Sequence, residues 1–197
     1  MRLATKADLP RATKIIAKSF STNPSILWVI KKDRKQDART RALAKYSFNW
    51  ARIRQGAYLA SNERGVALCY RAKQKSNLLL NILYQAELVI KAIGIFRIGI
   101  VLKRQAYLKS HMPKDTDYLY FWFYGVEPGY NGQGDAKEIK DEIFRMADEA
   151  GLPIILETSV EKNRRVYERY GFRIYHEWHN EDQQLRLYFM QREPRSG

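Results

Sequence analysis

Apolar positions spaced three and four residues apart divide much of this chain into helices. Asp8 and Pro10 are typical of a helix start and predict a first helix through about Phe20. The same spacing predicts helices over 34–54, 78–108 and 135–150, and Gly151 with Pro153 ends the last of them. The apolar positions of that last helix are Ala136, Ile139, Ile143, Ala147 and Ala150.

Short alternating or continuous apolar runs between these helices predict strands. Ala57–Ser61 and Gly65–Arg71 form an expected antiparallel pair, and Pro153–Glu157 has the continuous run of a buried parallel strand. Thr158 with Glu161 predicts a capping-box start to a helix ending near Tyr170. The other predicted strands are Arg2–Ala4, Tyr118–Val126, Phe172–Trp178 and Leu185–Gln191. The order predicts one mixed α/β domain over 1–197, with a β-α-β crossover flanked by antiparallel strands.

The segment Leu78–Leu102 is the apolar stretch that resembles a membrane segment. Glu87, Lys91 and Arg97 interrupt it, and each charge is costly at a bilayer centre. We therefore expect no transmembrane segment but two packed helices, broken near Gly94, that form an insertion over about 78–110. A peripheral contact of this segment with a membrane stays open.

The charge of +14 is unevenly distributed over the 197 residues. Residues 1–115 carry 24 Lys and Arg against 6 Asp and Glu, whereas residues 116–197 carry 11 against 15. A basic half of this kind suits a solvated exterior, a polyanionic cofactor, a membrane surface or a nucleic acid. The cations are dispersed, and no base-stacking or groove-reading motif accompanies them, so we do not expect a nucleic-acid partner.

The chain's single cysteine and three histidines give no reactive or metal site. Cys69 lies in a predicted strand and is expected to be a buried structural thiol. His176 and His179 point to opposite sides of a strand, and His111 stands alone, so we expect no metal. The start of the chain lacks an apolar secretory segment, which makes the cytoplasm the expected location.

The stretch YLYFWFYGVEPGYNGQGDA, from Tyr118 to Ala136, runs from an aromatic strand through a glycine loop into a helix. Such a loop presents free backbone N–H groups to an anion. It lacks the third glycine of a dinucleotide fingerprint and the Gly-Lys-Ser/Thr ending of a nucleotide P-loop. On glycine spacing alone, an ordinary turn explains it equally well.

This loop, the following PIILETS and the later NRRVYERYGF resemble the GNAT superfamily of acetyl-CoA-dependent N-acetyltransferases, over about 118–178. The helical pair before the aromatic strand is similar to the subgroup of puromycin acetyltransferases. The resemblance implies a central mixed, mostly antiparallel sheet flanked by helices. It also implies acetyl-CoA as cosubstrate, with no metal, and transfer of the acetyl group to a primary amine.

The resemblance also implies which residues hold acetyl-CoA. The strand donor to the thioester carbonyl is Val126, with Tyr124 and Gly125 beside it, and Asn163 reaches the pantetheine arm. Asp135 is expected to face away from the pyrophosphate, because its charge would repel that group. The pyrophosphate loop comprises Asn131, Gly132, Gln133, Gly134, Asp135 and Ala136.

Two catalytic residues follow from the resemblance. Tyr167 is the expected acid for the departing thiolate, and the alternative is an aromatic ring packed beneath acetyl-CoA. Glu157 is the expected general base, and the alternative is an ion pair with Arg164 or Arg165. Glu127 is a weaker candidate for the base.

The expected function is acetyl transfer to a small-molecule or peptide amine by direct attack within a ternary complex, by a monomer or homodimer. Asn131, Val160 and Tyr118 depart from the family pattern. These departures keep open a second function, a GNAT-like CoA-binding protein that does not transfer an acyl group. The identity of the amine and the acyl-chain preference are beyond the sequence.

Overall fold

Seven strands form one sheet in this computed structural model, which describes residues 1–130, 132–181 and 185–195. The strands lie in the order β1-β2-β3-β4-β5-β7-β6. Only β4 and β5 pair in parallel, and the other neighbours are antiparallel. The predicted mixed, mostly antiparallel sheet is therefore confirmed. The strands are β1 Arg2–Leu3, β2 Ala57–Leu59, β3 Gly65–Arg71, β4 Leu119–Val126, β5 Ile154–Thr158, β6 Arg173–Asn180 and β7 Leu185–Arg192.

The long predicted helices are confirmed, with ends displaced by a few residues. The α-helices are α1 Leu9–Ser19, α2 Pro24–Val29, α3 Gln36–Arg52, α4 Leu78–Leu88, α5 Ile98–Ser110, α6 Asp135–Glu149 and α7 Glu161–Arg169. Short 3-10 turns cover Lys6–Asp8 and Ile95–Arg97, and Val89–Ile93 is a π-helical turn.

Helix α2 is absent from the sequence prediction. Asn23 caps it by accepting hydrogen bonds from the backbone N–H groups of Ser25 and Ile26, and Pro24 occupies its first position. An Asn-Pro pair is equally typical of a turn, and six residues are too few to show a helical period.

The predicted capping box at the start of α7 is wrong. Val160 occupies the N-cap position, and the Thr158 hydroxyl accepts the Val160 N–H at 3.2 Å. Glu161 is the first helical residue and bonds to Arg164 and Arg165 instead. A carboxylate in the first turn still stabilises the helix through its dipole.

A β-bulge in β4 places neighbouring aromatic residues on different sides of the sheet. Leu68 pairs with Phe123 and Cys69 with Phe121, so Trp122 is the extra residue. Phe123 packs into the core beneath α1 and α3, whereas Phe121 packs into the core beneath α6. Both phenylalanines are buried, and the bulge places them in the cores on opposite sides of the sheet.

The insertion before β4 breaks at Gly94, whose φ is +80°, as predicted. The segments Leu78–Ile93 and Ile95–Ser110 meet there at 100°. Within the described residues, no single helix is long and apolar enough to cross a membrane. The two segments of this bent pair, taken together, have the length and the apolar composition of a membrane-crossing segment.

Candidate active site

The site begins where β4 and β5 separate. Their pairing joins Leu119 to Ile154 and Tyr120 to Ile155, and in the part of the chain that is described it extends no further. Beyond these two pairs a gap separates the strands. Glu157 lies on the β5 side of this gap, and Tyr124, Gly125 and Val126 lie on the β4 side.

The backbone of β4 directs donors into this gap. The Glu127 N–H bonds to the Arg64 carbonyl at the end of β3, at 2.7 Å. Successive residues of a strand alternate in direction, so the N–H groups of Val126 and Tyr124 point to the opposite edge. The Val126 carbonyl on that edge accepts the Ser19 hydroxyl at 2.8 Å. The predicted donor Val126 therefore lies on the open edge of β4.

The glycine loop leads directly into α6 with its outer surface open. Gly134 is the N-cap residue, and the φ values of Gly132 and Gly134 are +86° and +97°, which favour glycine. A Cβ built on either would meet no described atom within 4 Å. The first helical bond runs from the Glu138 N–H to the Gly134 carbonyl, so the amides of residues 135–137 lie ahead of it.

Asp135 turns its side chain into the protein. It is 3% exposed, and Asn62, in the turn between β2 and β3, donates a hydrogen bond to its carboxylate. The outer face of the loop consequently keeps its N–H groups without the carboxylate beside them. Gln133 lies beside Arg64, whose guanidinium bonds to its side chain at 3.2 Å. Ala136 accepts the Tyr124 hydroxyl through its carbonyl, and Asn131 lies outside the described residues.

A cavity of about 470 Å³ lies beside the gap, and Glu157 and Tyr167 both line it. A second hollow of about 570 Å³ adjoins it, and Tyr124 and Asn163 line both. The two hollows therefore meet at Tyr124 of β4 and Asn163 of α7, and Glu157 lines the first of them.

Glu157 is a buried carboxyl with unused hydrogen-bonding capacity. The Tyr120 hydroxyl donates to its Oε2 at 2.5 Å, while its Oε1 is buried and, among the described residues, has no hydrogen-bond partner. Burial raises the pKa of this carboxyl above its usual 4.5, and the Tyr120 bond and the charge of Arg104 oppose that rise. The alternative partners Arg164 and Arg165 bond to Glu161 instead.

Helix α7 places Tyr167 and Asn163 one turn apart on the same face. The Tyr167 ring packs edge-on against Phe172, with 5.4 Å between centroids. Burial raises the pKa of its phenol to about 12, so the hydroxyl keeps its proton at neutral pH. Tyr170, three residues further along α7, packs against Phe144 instead.

Tertiary contacts bring further residues to the cavity that the sequence did not reveal. Arg104 is 7% exposed, bonds to the Ser25 hydroxyl and lines the same cavity as Glu157. Helix α5 gives no sign of this, because its apolar pattern is weak. Aromatic residues also line the wall, among them Tyr46, Trp50, Tyr70, Tyr120 and Trp122.

The histidines are arranged differently from the prediction. His111 does not stand alone: its ring stacks on His176, with centroids 3.9 Å apart, and the Tyr107 hydroxyl lies 2.8 Å from His176 Nε2. Within the described ranges, no cluster of three or more His, Cys, Asp or Glu could hold a metal ion. Cys69 is 2% exposed, and burial raises the pKa of its thiol.

Comparison with solved structures identifies the fold. A histone acetyltransferase HPA2-related protein of Corynebacterium glutamicum has a TM-score of 0.69 at 17% identity, covering 100% of this chain and 96% of that chain. Arylalkylamine N-acetyltransferase 2 of Aedes aegypti has a TM-score of 0.63 at 13% identity, with 98% of each chain covered. The chain therefore has the fold of the GNAT N-acetyltransferases.

Sequence comparison points to the same class. An uncharacterized N-acetyltransferase of Schizosaccharomyces pombe is 34% identical over 84 residues, which are 41% of this chain. The matched stretch spans about a third of the length of that relative, 34%. No family model matches the chain. The narrower likeness to puromycin acetyltransferases stays a prediction.

Proposed function

We propose that this chain is an acetyl-CoA-dependent N-acetyltransferase that acts on a primary amine by direct attack. The observation that carries the proposal is the single cavity in which the buried Glu157 carboxyl and the Tyr167 phenol lie beside the open edge of β4. In this arrangement a candidate base and a candidate acid line one space, and the open edge of β4, which would supply backbone donors, lies beside it at Tyr124.

The residues present fit acetyl-CoA. The open glycine loop and the first amides of α6 would hold its pyrophosphate, with Asp135 turned away, and Asn163 would contact the pantetheine arm. Bound there, acetyl-CoA would supply a thioester as the acetyl donor. The N–H group of Val126 would donate to its carbonyl oxygen as negative charge develops on that oxygen, and Tyr124 would lie beside it.

Glu157 and Tyr167 would handle the protons. The Glu157 carboxylate would take a proton from the ammonium group of the acceptor, which frees the nitrogen lone pair for attack on the carbonyl carbon. As the new C–N bond forms and the C–S bond breaks, the Tyr167 hydroxyl would donate its proton to the leaving sulfur. The high pKa of Tyr167 keeps that proton available until the thiolate appears.

The cavity wall favours an amine with an apolar or aromatic body. Aromatic rings form much of the wall, and the buried Arg104 adds a positive charge that disfavours polycations. The neighbouring Aedes aegypti enzyme is named for arylalkylamines. We therefore expect small hydrophobic amines to be better acceptors than polyamines or lysine-rich peptides.

The test is a CoA-release screen over a panel of primary amines with wild type, Glu157→Gln and Tyr167→Phe. Each variant should lose about 10²- to 10⁴-fold in kcat, the usual contribution of a positioned acid or base. Tyr170→Phe and Glu127→Gln are matched controls and should retain near wild-type rates, because Tyr170 packs on Phe144 and Glu127 pairs with Lys14.

Two results would contradict the proposal. Undiminished turnover in both Glu157→Gln and Tyr167→Phe would remove these residues as base and acid. Tight acetyl-CoA binding by calorimetry, with no CoA release from any amine, would favour a CoA-binding protein without acyl transfer.

A further inference from the structure

The helical insertion exposes an unusual amount of apolar surface, here called the insertion face. Of the large hydrophobic side chains that are exposed in the described residues, all but Leu3 and Tyr175 belong to this face. The insertion face comprises Leu78, Leu79, Ile82, Leu83, Ile90, Ile95, Phe96, Ile100 and Leu102. Contiguous exposed apolar surface of this kind marks an interaction site more often than a free exterior.

The spacing of these residues gives the face a direction. Leu79, Leu83 and Ile90 recur at helical spacing along one side of α4 and the π-turn that follows. Phe96 lies just past the 100° bend and is fully exposed, at 104% of its reference surface. The largest apolar side chain of the face therefore projects at its corner.

Positive charge accompanies the face. Residues 72–114 carry eight Lys and Arg and a single acid, Glu87, which already bonds to Lys45 and Lys91. Lys103 is exposed and lies three residues from Ile100, on the same side of α5. Lys73 and Lys75 are exposed immediately before α4. The face thus combines apolar side chains with neighbouring cations.

We propose that the insertion face docks the protein onto the surface of an anionic lipid bilayer. Apolar side chains of a surface-lying helix enter the boundary between headgroups and acyl chains, while its lysines contact the anionic headgroups. The bend and the charges Lys91, Arg97 and Lys103 fit a bilayer surface better than a crossing. The excess of cations matches this occupant better than a second copy of the same basic surface.

The docked orientation turns the cavity towards the lipid. Gln85, Leu102 and Gln105 are exposed and also line the cavity that contains Glu157, so part of its rim lies on α4 and α5. An acceptor entering from this side would be an amine with an apolar chain held in the bilayer. That consequence rests on the proposed function, whereas the docking does not.

The test is co-sedimentation with phosphatidylcholine vesicles, with and without phosphatidylserine. The chain should sediment with the mixed vesicles, and added salt should reduce binding. Leu83→Ser with Phe96→Ser should weaken binding tenfold or more, as expected for about two buried apolar side chains. Leu3→Ser, an exposed leucine on β1, is the matched control and should bind like wild type.

The charge contribution has its own pair of variants. Lys103→Glu should weaken binding to the mixed vesicles about tenfold, since each Lys at the surface contributes about 1 kcal/mol. Lys6→Glu, an exposed lysine outside the insertion, should leave binding unchanged. Circular dichroism and thermal melting of each variant check that the fold is intact.

Several outcomes would overturn the docking. These are no sedimentation with mixed vesicles, equal binding by all four variants, or a concentration-dependent dimer that Phe96→Ser abolishes while vesicles stay unbound. In a separate arm, CoA release is compared for a long-chain alkylamine in mixed vesicles and a short alkylamine in solution. Vesicle binding without CoA release from either would refute the proposed reaction and leave the docking supported.

Discussion

At the scale of single residues, Glu157 combines burial with one unused carboxyl oxygen. Its Oε2 accepts the Tyr120 hydroxyl, and its buried Oε1 has no partner among the described residues. A buried polar atom without a partner costs folding free energy, about 1–3 kcal/mol. Such a cost is commonly found where a ligand supplies the missing bond.

The pH dependence of the proposed reaction follows from the surroundings of Glu157. The base works as a carboxylate, and burial raises its pKa, so kcat/KM should rise with pH through a pKa above 4.5. The Tyr120 hydrogen bond favours the carboxylate. Tyr120→Phe should therefore move this acid limb to higher pH, measured by CoA release across a pH series.

Tyr46→Phe is the control for that shift. Tyr46 lines the same cavity but packs on Trp50 and Trp122. The acid limb of the pH profile of Tyr46→Phe should therefore coincide with that of wild type. An unmoved limb in Tyr120→Phe would mean that another group is the titrating base.

At the scale of elements, α1 and β4 approach each other closely at Gly125. A Cβ on Gly125 would lie 2.9 Å from both the Cβ and the Oγ of Ser19. Gly125→Ala should push α1 from β4, lower the free energy of unfolding by about 1–3 kcal/mol and raise KM for acetyl-CoA. Urea denaturation and steady-state kinetics measure the two effects.

Gly99→Ala is the matched substitution for Gly125→Ala. Gly99 lies in α5, where a Cβ meets no described atom within 4 Å, so alanine should stabilise the helix by about 0.5–1 kcal/mol. If both substitutions changed the free energy of unfolding equally, contact with Ser19 would not be the reason that alanine is unfavourable at position 125.

The elements divide into those that the sequence predicts and those that depend on tertiary structure. The helical period of α6 and the aromatic run of β4 are local, so the strand, loop and helix could be predicted with Gly132, Gly134 and Asp135 in place. The β4 bulge at Trp122 could not, because a bulge depends on the facing strand.

The site divides in the same way. Tyr167 and Glu157 lie in recognisable local motifs. Tyr120 and Arg104 reach Glu157 only through folding, since 37 residues separate Tyr120 from Glu157 along the chain. Nothing local in α5 marks Arg104 as buried.

At the scale of the whole molecule, a partly buried ion pair connects the two halves of the sheet. Helix α6 packs on β3 and β4, and its Asp148 accepts two hydrogen bonds from Arg192 of β7, at 2.8 and 2.9 Å. The Arg192 side chain is only 4% exposed. The pair therefore fastens the β1–β4 half to the β5–β7 half.

Asp148→Asn should lower the free energy of unfolding at neutral pH by about 3 kcal/mol, because it leaves a buried guanidinium without its charge partner. The Arg192 bond lowers the pKa of Asp148 below 3.8. The stability that this carboxylate contributes is thus present above pH 3.8 and is lost as pH falls through the lowered pKa. Denaturant unfolding at several pH values should show the difference from wild type shrinking in acid.

Glu149→Gln is the neighbouring control. Glu149 is 62% exposed and bonds to an exposed Arg145, so its loss should change the free energy of unfolding by less than about 1 kcal/mol. If Glu149→Gln lowered the free energy of unfolding as much as Asp148→Asn, the net charge of α6 would explain the effect and the pair with Arg192 would not.

Because β4 and β5 separate early, the junction between the two halves of the sheet is short. In the described chain, two residue pairs between β4 and β5 are the only strand pairing that joins the halves. The ion pair of Asp148 with Arg192 is a second connection between them. Few hydrogen bonds between strands therefore hold the width of the gap. A molecule bound in the gap would contact both β4 and β5. Its binding would therefore stiffen the junction between the two halves of the sheet.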